Sequence, residues 1–417
     1  MLLGCIADDL TGATDLCINL AREGLSVVQV NGVPPPGLAA PDVDVVVVAL
    51  KSRTIPADDA IALSLTALGW LQAHGASRIY FKYCSTFDST PRGNIGPVTD
   101  ALRAALGAGI VPATPAYPRN QRTVFQGHLF VGELLLSESG MRHHPLTPMT
   151  DANLVRVLAA QTPDRVGLVA AATLDAGVDA VRARLDELAA EGVAHAIVDA
   201  TRDDHLTIAG AACVGLPLTT GGAGLGVGLA RALRGKAGVR SGGWLRPATP
   251  VPVAWLSGSC SEATRAQLAA AQRITSGIRL DPLALAANPA LVDALAAQAV
   301  AAIGATPVLV YATADPQTVA AAQSALGTQR AATVVEDAFR AIARALAAAG
   351  VQAFVVAGGE TAGAVVDALD VRALAIGPEI DPGVPWTCAV GGAPRWLALK
   401  SGNFGAVDFF ARATAAL

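Results

Sequence analysis

Two adjacent carboxylates, Asp8 and Asp9, close an apolar opening run and are followed by Leu10-Thr11-Gly12 and a helical pattern. An aspartate beside a hydroxyl can accept its proton or hold it in line for phosphoryl transfer. Similar polar clusters follow two later apolar runs. Lys51, Ser52, Arg53 and Thr54 follow a valine run, and Lys82, Cys84, Ser85, Thr86 and Asp88 follow residues 78–81. Arg53 offers a planar fork that fits a carboxylate, and Lys82 a cation amid hydroxyls. Such a set suits a small hydroxylated acid. Asp8 and Asp9 are therefore the candidate catalytic pair, and Arg53, Lys82, Ser85 and Thr86 the candidate substrate ligands. The bland readings are that Asp9 caps the following helix and that Lys51 is a solvated strand-end charge.

The second half carries a different kind of chemistry. Ser257-Gly258-Ser259-Cys260-Ser261, Gly358-Gly359-Glu360-Thr361-Ala362-Gly363 and Lys400-Ser401-Gly402-Asn403-Phe404-Gly405 each follow an apolar run, and each precedes a helical pattern. Glycine lets backbone approach a ligand, and a helix N-terminus presents free N–H groups to an anion. One such turn is weak evidence, but three on one sheet edge would cradle a phosphate chain. No Gly-x-x-x-x-Gly-Lys-Ser/Thr loop is present. The glycine run at 221–226 reads as a tight turn before a helix over 225–233 rather than a dinucleotide fingerprint. The absence of Gly-x-Ser-x-Gly and His-Glu-x-x-His removes the serine-hydrolase and zincin readings. His74, His195 and His205 read as surface or core-edge residues, while His128 is evenly balanced between a structural and a functional role.

These residues need a frame that delivers them to common edges. Strands are expected at 2–7, 26–30, 43–50, 78–83, 109–111, 166–170 and 194–199, with helical patterns between them. Residues 12–23, for example, place Ala13, Leu16, Cys17 and Leu20 on one face. The second half restarts at 253–256 and continues with strands at 308–312, 353–357, 373–376 and 396–400. Alternation of this kind predicts an α/β protein of two domains, each a mostly parallel sheet flanked by helices, with ligands beyond the carboxyl ends of the strands. Residues 117–147 break the pattern and predict a short hairpin or functional loop, with a helix starting near 147–151. Glycines, basic residues and Pro247, Pro250 and Pro252 mark a linker at 236–252 between domains at 1–235 and 253–417.

The composition agrees. A chain of 417 residues is long enough for two cores. Hydrophobic content of 52% against 15% charged residues excludes a disordered protein. Mean hydropathy is +0.45, yet no run approaches the roughly 18 apolar residues a membrane span needs. Net charge of −4 without a basic stripe argues against nucleic acid as a partner. The chain enters its first strand with no charged leader, which predicts a cytoplasmic protein. Six scattered cysteines without a Cys-x-x-Cys pair predict free thiols in a reducing compartment. Metal ligands are left unassigned, and an alanine-rich surface makes a homodimer plausible.

Three motifs carry a resemblance to a known family. Asp8-Asp9-Leu10-Thr11-Gly12-Ala13-Thr14-Asp15, Lys82-Tyr83-Cys84-Ser85-Thr86-Phe87-Asp88-Ser89-Thr90 and Gly358-Gly359-Glu360-Thr361 resemble the four-carbon acid sugar kinases. Gly93-Asn94-Ile95-Gly96-Pro97-Val98, Gly377-Pro378-Glu379-Ile380, Pro382-Gly383-Val384-Pro385-Trp386-Thr387 and residues 399–405 point, within that family, to the subgroup acting on 3-oxo-tetronate. The resemblance runs along essentially the whole chain. It implies an N-terminal sugar-acid domain, a C-terminal ATP domain, and transfer of the γ-phosphoryl of ATP, with Mg²⁺ on its phosphates, to the 4-hydroxyl of the acid. Threonate and erythronate are the near alternatives. By position it places ATP contacts on Ser257 or Ser259, on Gly358, Gly359, Glu360 and Thr361, and on Gly402, and it places substrate contacts on Asp8, Asp9, Arg53 and Lys82. Lys400 is expected to neutralise charge as the phosphoryl group moves. A nicotinamide-dependent oxidoreductase and a non-catalytic acid-binding protein are the rival classes. Two separate ligand edges, one for an acid and one for a phosphate chain, favour a bisubstrate enzyme over either.

Overall fold

Runs of β-branched residues with no polar alternation can only be strands buried on both faces, and the structure uses them so. A computed structural model describes residues 1–35, 37–38, 41–87, 90–143, 147–236 and 244–417. The chain divides into two compact units, Met1–Gly242 and Gly243–Leu417.

In the first unit the strands are β1 (Leu3–Ala7), β2 (Val27–Asn31), β3 (Val45–Ala49), β4 (Ile79–Lys82) and β5 (Val111–Thr114), then a hairpin set β6 (Arg122–Phe125), β7 (His128–Val131) and β8 (Leu134–Leu135), then β9 (Arg165–Val169), β10 (Val193–Val198) and β11 (Leu218–Gly221). The main sheet runs β2-β3-β1-β4-β11-β5-β10-β9, and every one of these ladders is parallel. All residues of β1, β2, β3 and β4 are buried. Because β1 lies between β3 and β4, the residues that follow these three strands emerge side by side. The chain crosses β1 between β3 and β4, and such a reversal of strand order is where open α/β sheets bind ligands.

Two helices of this unit, Asp203–Cys213 and Ala223–Leu233, cross at glycines. A Cβ on Gly210 would stand 2.0 Å from the carbonyl carbon of Gly228, and one on Gly228 would stand 2.0 Å from the Leu206 carbonyl oxygen. The obstruction is backbone, so no side chain can turn away from it. Gly210→Val is expected to cost about 3 kcal/mol and to lower the melting midpoint by roughly 6–12 °C, read by circular dichroism. An unchanged midpoint would mean the helices do not pack this closely.

The second unit contains β12 (Val253–Ser257), β13 (Gly277–Arg279), β14 (Val308–Tyr311), β15 (Ala353–Ala357), β16 (Ala373–Asp381), β17 (Val384–Ala389) and β18 (Trp396–Lys400). The order β13-β14-β12-β15-β18 is parallel, and β17 and β16 continue it antiparallel. Its core is aromatic. Trp255, Trp386, Phe339, Phe354, Phe409 and Phe410 are all but fully buried. The two tryptophans also hold the C-terminal helix Phe409–Ala416, through Trp255 Nε1 to Thr414 Oγ1 at 3.0 Å and Trp386 Nε1 to the Ala413 carbonyl at 2.9 Å.

The expected class of fold is the one observed, with local differences. The strand expected at 109–111 begins only at Val111, because the preceding helix ends in a left-handed Gly107 (φ 59°) and the chain must first turn back to the sheet. The strands β11, β13 and β17 were not among those expected. Residues 117–147 contain the three-stranded antiparallel set β6-β7-β8. The helix expected at 147–151 starts at Leu154. Asp151 instead takes the Asn153 N–H and the Arg156 guanidinium, and the Asn153 side chain caps the helix through the Arg156 N–H. Residues 237–243 of the expected linker, and Asp88, Ser89 and His144, lie outside the described residues. Residues 244–252 are bonded to the second unit: the Leu245 carbonyl accepts from Trp396 Nε1 at 2.7 Å, and Arg246 Nε donates to the Leu417 carbonyl at 2.7 Å. No helix among the described residues is long and apolar enough to cross a membrane.

Candidate active site

In the first unit, β1 delivers Asp8 and Asp9, the chain after β3 delivers Arg53, and Lys82 ends β4. The four converge. Arg53 grips Asp8 through two parallel bonds, Nε to Oδ2 at 2.9 Å and Nη2 to Oδ1 at 2.7 Å, and its Nη2 also lies 2.8 Å from Asp9 Oδ1. Asp9 is the N-cap of the helix Leu10–Arg22, accepting the Gly12 N–H and the Thr11 hydroxyl, each at 2.9 Å. The capping and catalytic readings of Asp9 are thus compatible in one residue. A Cβ on Gly12 would stand 3.0 Å from Lys82 Nζ and 2.2 Å from Asp9 Oδ1, so glycine is what lets the cap and the ammonium close in on the helix start.

The electrostatics separate the carboxylates. Burial pushes the Asp9 carboxyl up, but the Arg53 and Lys82 charges and the bonds from Thr11 and Gly12 outweigh it, so Asp9 sits below the usual carboxylate range. Burial opposes the Arg53 charge in the same way, and Asp8 and Asp9 outweigh it, holding the guanidinium well above its ordinary value. A third carboxylate, Asp15, belongs to the same cluster. Its burial pushes it up against the opposing charge of Lys82, and Asn19 Nδ2 donates to it at 3.0 Å. Asp15 appeared in the sequence only as part of a motif. Its signal is its place on the helix that Asp9 caps.

Two further groups brace the site. Asn94 Nδ2 donates to the carbonyls of Ser52 at 2.7 Å, Ile55 at 2.9 Å and Arg53 at 3.3 Å, which ties the Arg53 loop to the start of the helix Ile95–Leu106. Sequence reasoning quoted Asn94 without assigning it this task. Ser85 and Thr86 stand on the turn after Lys82, where Thr86 Oγ1 lies 2.9 Å from Cys84 Sγ. The turn ends on Phe87, whose backbone is left-handed (φ 55°) and whose buried ring meets Tyr83 edge-on at 5.3 Å. A non-glycine residue holds that conformation only when its surroundings impose it. Here the anchored ring does so and fixes where Ser85 and Thr86 stand. Asp8, Ser52, Arg53, Phe81, Cys84 and Asn94 line a small cleft at this edge.

In the second unit, β12, β15 and β18 are parallel neighbours, so the three glycine turns emerge from adjacent carboxyl ends. They interlock. Gly258 N–H and Ser259 N–H donate to the Ala357 carbonyl at 2.9 and 3.1 Å, and Gly358 N–H to the Lys400 carbonyl at 2.9 Å. Ser261 Oγ and Thr264 Oγ1 donate to the Gly402 carbonyl at 2.7 and 2.8 Å. A Cβ on Gly258 would stand 2.0 Å from Thr361 Oγ1, and one on Gly402 would stand 2.4 Å from Ser259 Oγ. Gly358 has φ 127°, a backbone open only to glycine, and starts the helix Gly359–Ala368. Gly359 and Glu360 are exposed at that helix start, and Thr361 is buried behind them.

The serines differ. The Ser257 hydroxyl is fully buried and pairs with Thr313 Oγ1 at 2.8 Å, while Thr313 Oγ1 also lies 2.8 Å from the Ser259 carbonyl. Ser257 thus braces the turn from within, whereas Ser259 stands at its half-buried surface. Thr264, Gln267 and Thr313 were missed from the sequence. Gln267 Nε2 holds the third turn through the carbonyls of Phe404, Gly405 and Ala406 at 2.8–3.0 Å. The spacing 261, 264, 267, one face of a helix beginning at a cap, was the available signal.

Among the described residues one group has metal-ligand character: Asp100, Asp164 and His195. It lies toward the amino end of β10, away from the ligand edge of its own unit. Protein partners already engage it, His195 Nε2 to Asp100 at 2.7 Å and Arg103 to Asp164 at 2.9 Å.

Residues 3–229 match the family described as a sugar-binding N-terminal domain, and residues 254–410 match the one described as a nucleotide-binding C-terminal domain. The chain is 53% identical to a 3-oxo-tetronate kinase of Burkholderia multivorans, over 100% of its own length and 97% of the relative's. It is 55% identical to one from Pseudomonas fluorescens over 99% and 96% of the two chains. A crystal structure of a protein from Salmonella typhimurium LT2 has a TM-score of 0.89 at 46% identity, and one from Haemophilus influenzae 0.84 at 43%. Each covers 99% of both chains.

Proposed function

The chain belongs to the 3-oxo-tetronate kinases within the four-carbon acid sugar kinase family, and from that premise we propose that its first unit holds the sugar acid and its second the nucleotide for one phosphoryl transfer. The enzyme is an ATP-dependent phosphotransferase whose acceptor is an alcohol, the 4-hydroxyl of 3-oxo-tetronate. The observation that carries the nucleotide assignment is the convergence of three glycine turns at the carboxyl ends of β12, β15 and β18. The exposed helix start at Gly359 and Glu360 supplies unpaired N–H groups toward which phosphate oxygens are drawn.

The acid lies at the edge of β1, β3 and β4, against Lys82, Ser85 and Thr86. Asp8 and Asp9 occupy Nε and Nη2 of Arg53, so Arg53 serves chiefly to lock Asp9 in place and meets substrate through Nη1. Asp9 stays ionised and receives the proton of the 4-hydroxyl as its oxygen bonds to the γ-phosphorus. The bond from that phosphorus to the β,γ-bridging oxygen breaks and ADP leaves. Mg²⁺ fits a site made mostly of phosphate oxygens and water, with Glu360 the one carboxylate on the three turns. When bound it supplies charge neutralisation of the phosphates. Residues 1–235 and 253–417 act as the two domains, with 236–252 linking them. The homodimer and the cytoplasmic location belong to the same proposal.

Coupled ADP release tests the reading. The acids are 3-oxo-tetronate, made in situ by an upstream dehydrogenase, and threonate and erythronate. The largest kcat/KM is expected for the keto acid. Equal or greater turnover of an unoxidised acid would reassign the substrate, and no ADP release with any of them would remove the kinase reading.

A further inference from the structure

Lys400 ends β18 at the third glycine turn, and its side chain is fully buried. The sequence suggested an ammonium reaching the moving phosphoryl group. The geometry turns it the other way. Its Nζ donates to Thr264 Oγ1 at 3.0 Å, to the Ser401 carbonyl at 3.1 Å and to the Gly402 carbonyl at 3.1 Å. An ammonium has three protons, and all three are spent within the protein. Two of the acceptors are the backbone of the turn itself. The third is a hydroxyl of the helix Glu262–Ala271, which also bonds the Gly402 carbonyl at 2.8 Å. The Gly402 carbonyl thus collects Lys400, Ser261 and Thr264. A carbonyl held inward by three donors fixes the peptide planes on either side of it, and with them the outward face of the turn.

We propose that Lys400 is a positioning residue for ATP: a buried knot that shapes the Ser401–Gly402 turn, rather than a group that touches the transferred phosphoryl. This rests on the reading that the nucleotide lies on the glycine turns. The knot has a built-in sensitivity to pH. Burial lowers the Lys400 pKa to about 8. The groups facing the ammonium are the Thr264 hydroxyl from the helix Glu262–Ala271 and the two carbonyls of its own turn, with Ala357 of β15 as its ladder neighbour. None of these carries a charge. A neutral amine keeps two donors, so one of the three bonds is lost as pH rises through about 8. The stability linkage has the opposite sign. The folded protein binds the Lys400 proton less tightly than the unfolded chain does, so the contribution of Lys400 to stability improves over the same window. Nucleotide affinity and stability therefore move in opposite directions.

The test compares wild type, Lys400→Met, Lys400→Arg and Thr264→Val. The readouts are KM for ATP and kcat at saturating acid from pH 7 to 9.5, and ADP affinity by calorimetry. Lys400→Met is expected to raise KM for ATP and the Kd for ADP about tenfold with kcat within about threefold of wild type. Thr264→Val shifts the same constants by a smaller factor. In wild type, KM for ATP rises above pH 8 without a fall in melting temperature, and in Lys400→Arg that rise disappears. A loss of about 100-fold or more in kcat with KM unchanged in Lys400→Met would make Lys400 a transition-state group and overturn the proposal, as would unchanged constants. Should Lys400→Met not fold, the wild-type profile against Lys400→Arg decides. A flat wild-type KM would then be fatal. Gly359→Asp separates the two levels. If it leaves ADP affinity intact, the nucleotide reading fails. If it abolishes binding while the Lys400 and Thr264 variants are silent, only the present proposal falls.

Discussion

Asp9→Asn lowers kcat by about 10²–10⁴-fold while KM for ATP and the fold are retained. The substitution is nearly isosteric. Asn is as good an N-cap as Asp, so the Gly12 N–H keeps its acceptor and the helix Leu10–Arg22 keeps its start. Arg53 keeps its two-point grip on Asp8. What disappears is the carboxylate that Arg53 and Lys82 hold below the usual range and that can accept the hydroxyl proton. Asp8→Asn behaves differently. It removes one of the two bonds to Arg53 and one of that guanidinium's two carboxylate partners, Asp9 remaining, and the loss of a hydrogen bond between charged groups costs about 1.5–3 kcal/mol. Thermal melts alongside steady-state rates distinguish the two. Wild-type turnover in Asp9→Asn would take Asp9 out of the mechanism.

Gly359→Asp abolishes useful nucleotide binding, with the ADP dissociation constant raised by about 100-fold or more. An aspartate in the first turn of a helix complements the macrodipole, so the helix Gly359–Ala368 itself is not weakened. The same charge stands where phosphate oxygens must lie. Two like charges about 4 Å apart near a protein surface repel by roughly 4 kcal/mol, ample for that loss. Gly359 is exposed, so the new side chain points at the ligand's space rather than into the core, and the fold is kept. Calorimetry with ADP, and a melting curve to confirm the fold, read the outcome. Unaltered affinity would place the phosphates elsewhere.

The sheet edges were legible because the three strands of the site are short runs, plainly apolar in β1, valine-rich in β3 and aromatic in β4, that end abruptly in polar residues. Asp8, Asp9 and Lys82 sit immediately past such runs, so their convergence followed from parallel strands alone. The three glycine turns were legible for the same reason. The direction of side chains was not. Nothing in the local sequence says that Arg53 spends its fork on Asp8, 45 positions away, or that Ser257 turns inward to Thr313 while Ser259 does not. Lys400 looks the same in sequence whether it faces a ligand or its own turn. Asn94, Thr264 and Gln267 escaped because they act on backbone carbonyls distant in the chain, a task any amide or hydroxyl can perform. Strand β11 was missed from the strand set because Leu218-Thr219-Thr220-Gly221 lacks the apolar run that marked its neighbours.

The division of labour between the two units is tested most directly by a crystal structure with an adenine nucleotide bound. The account predicts its α- and β-phosphates against the backbone of residues 258–261, 358–361 and 401–402. Phosphate density away from those turns would contradict it.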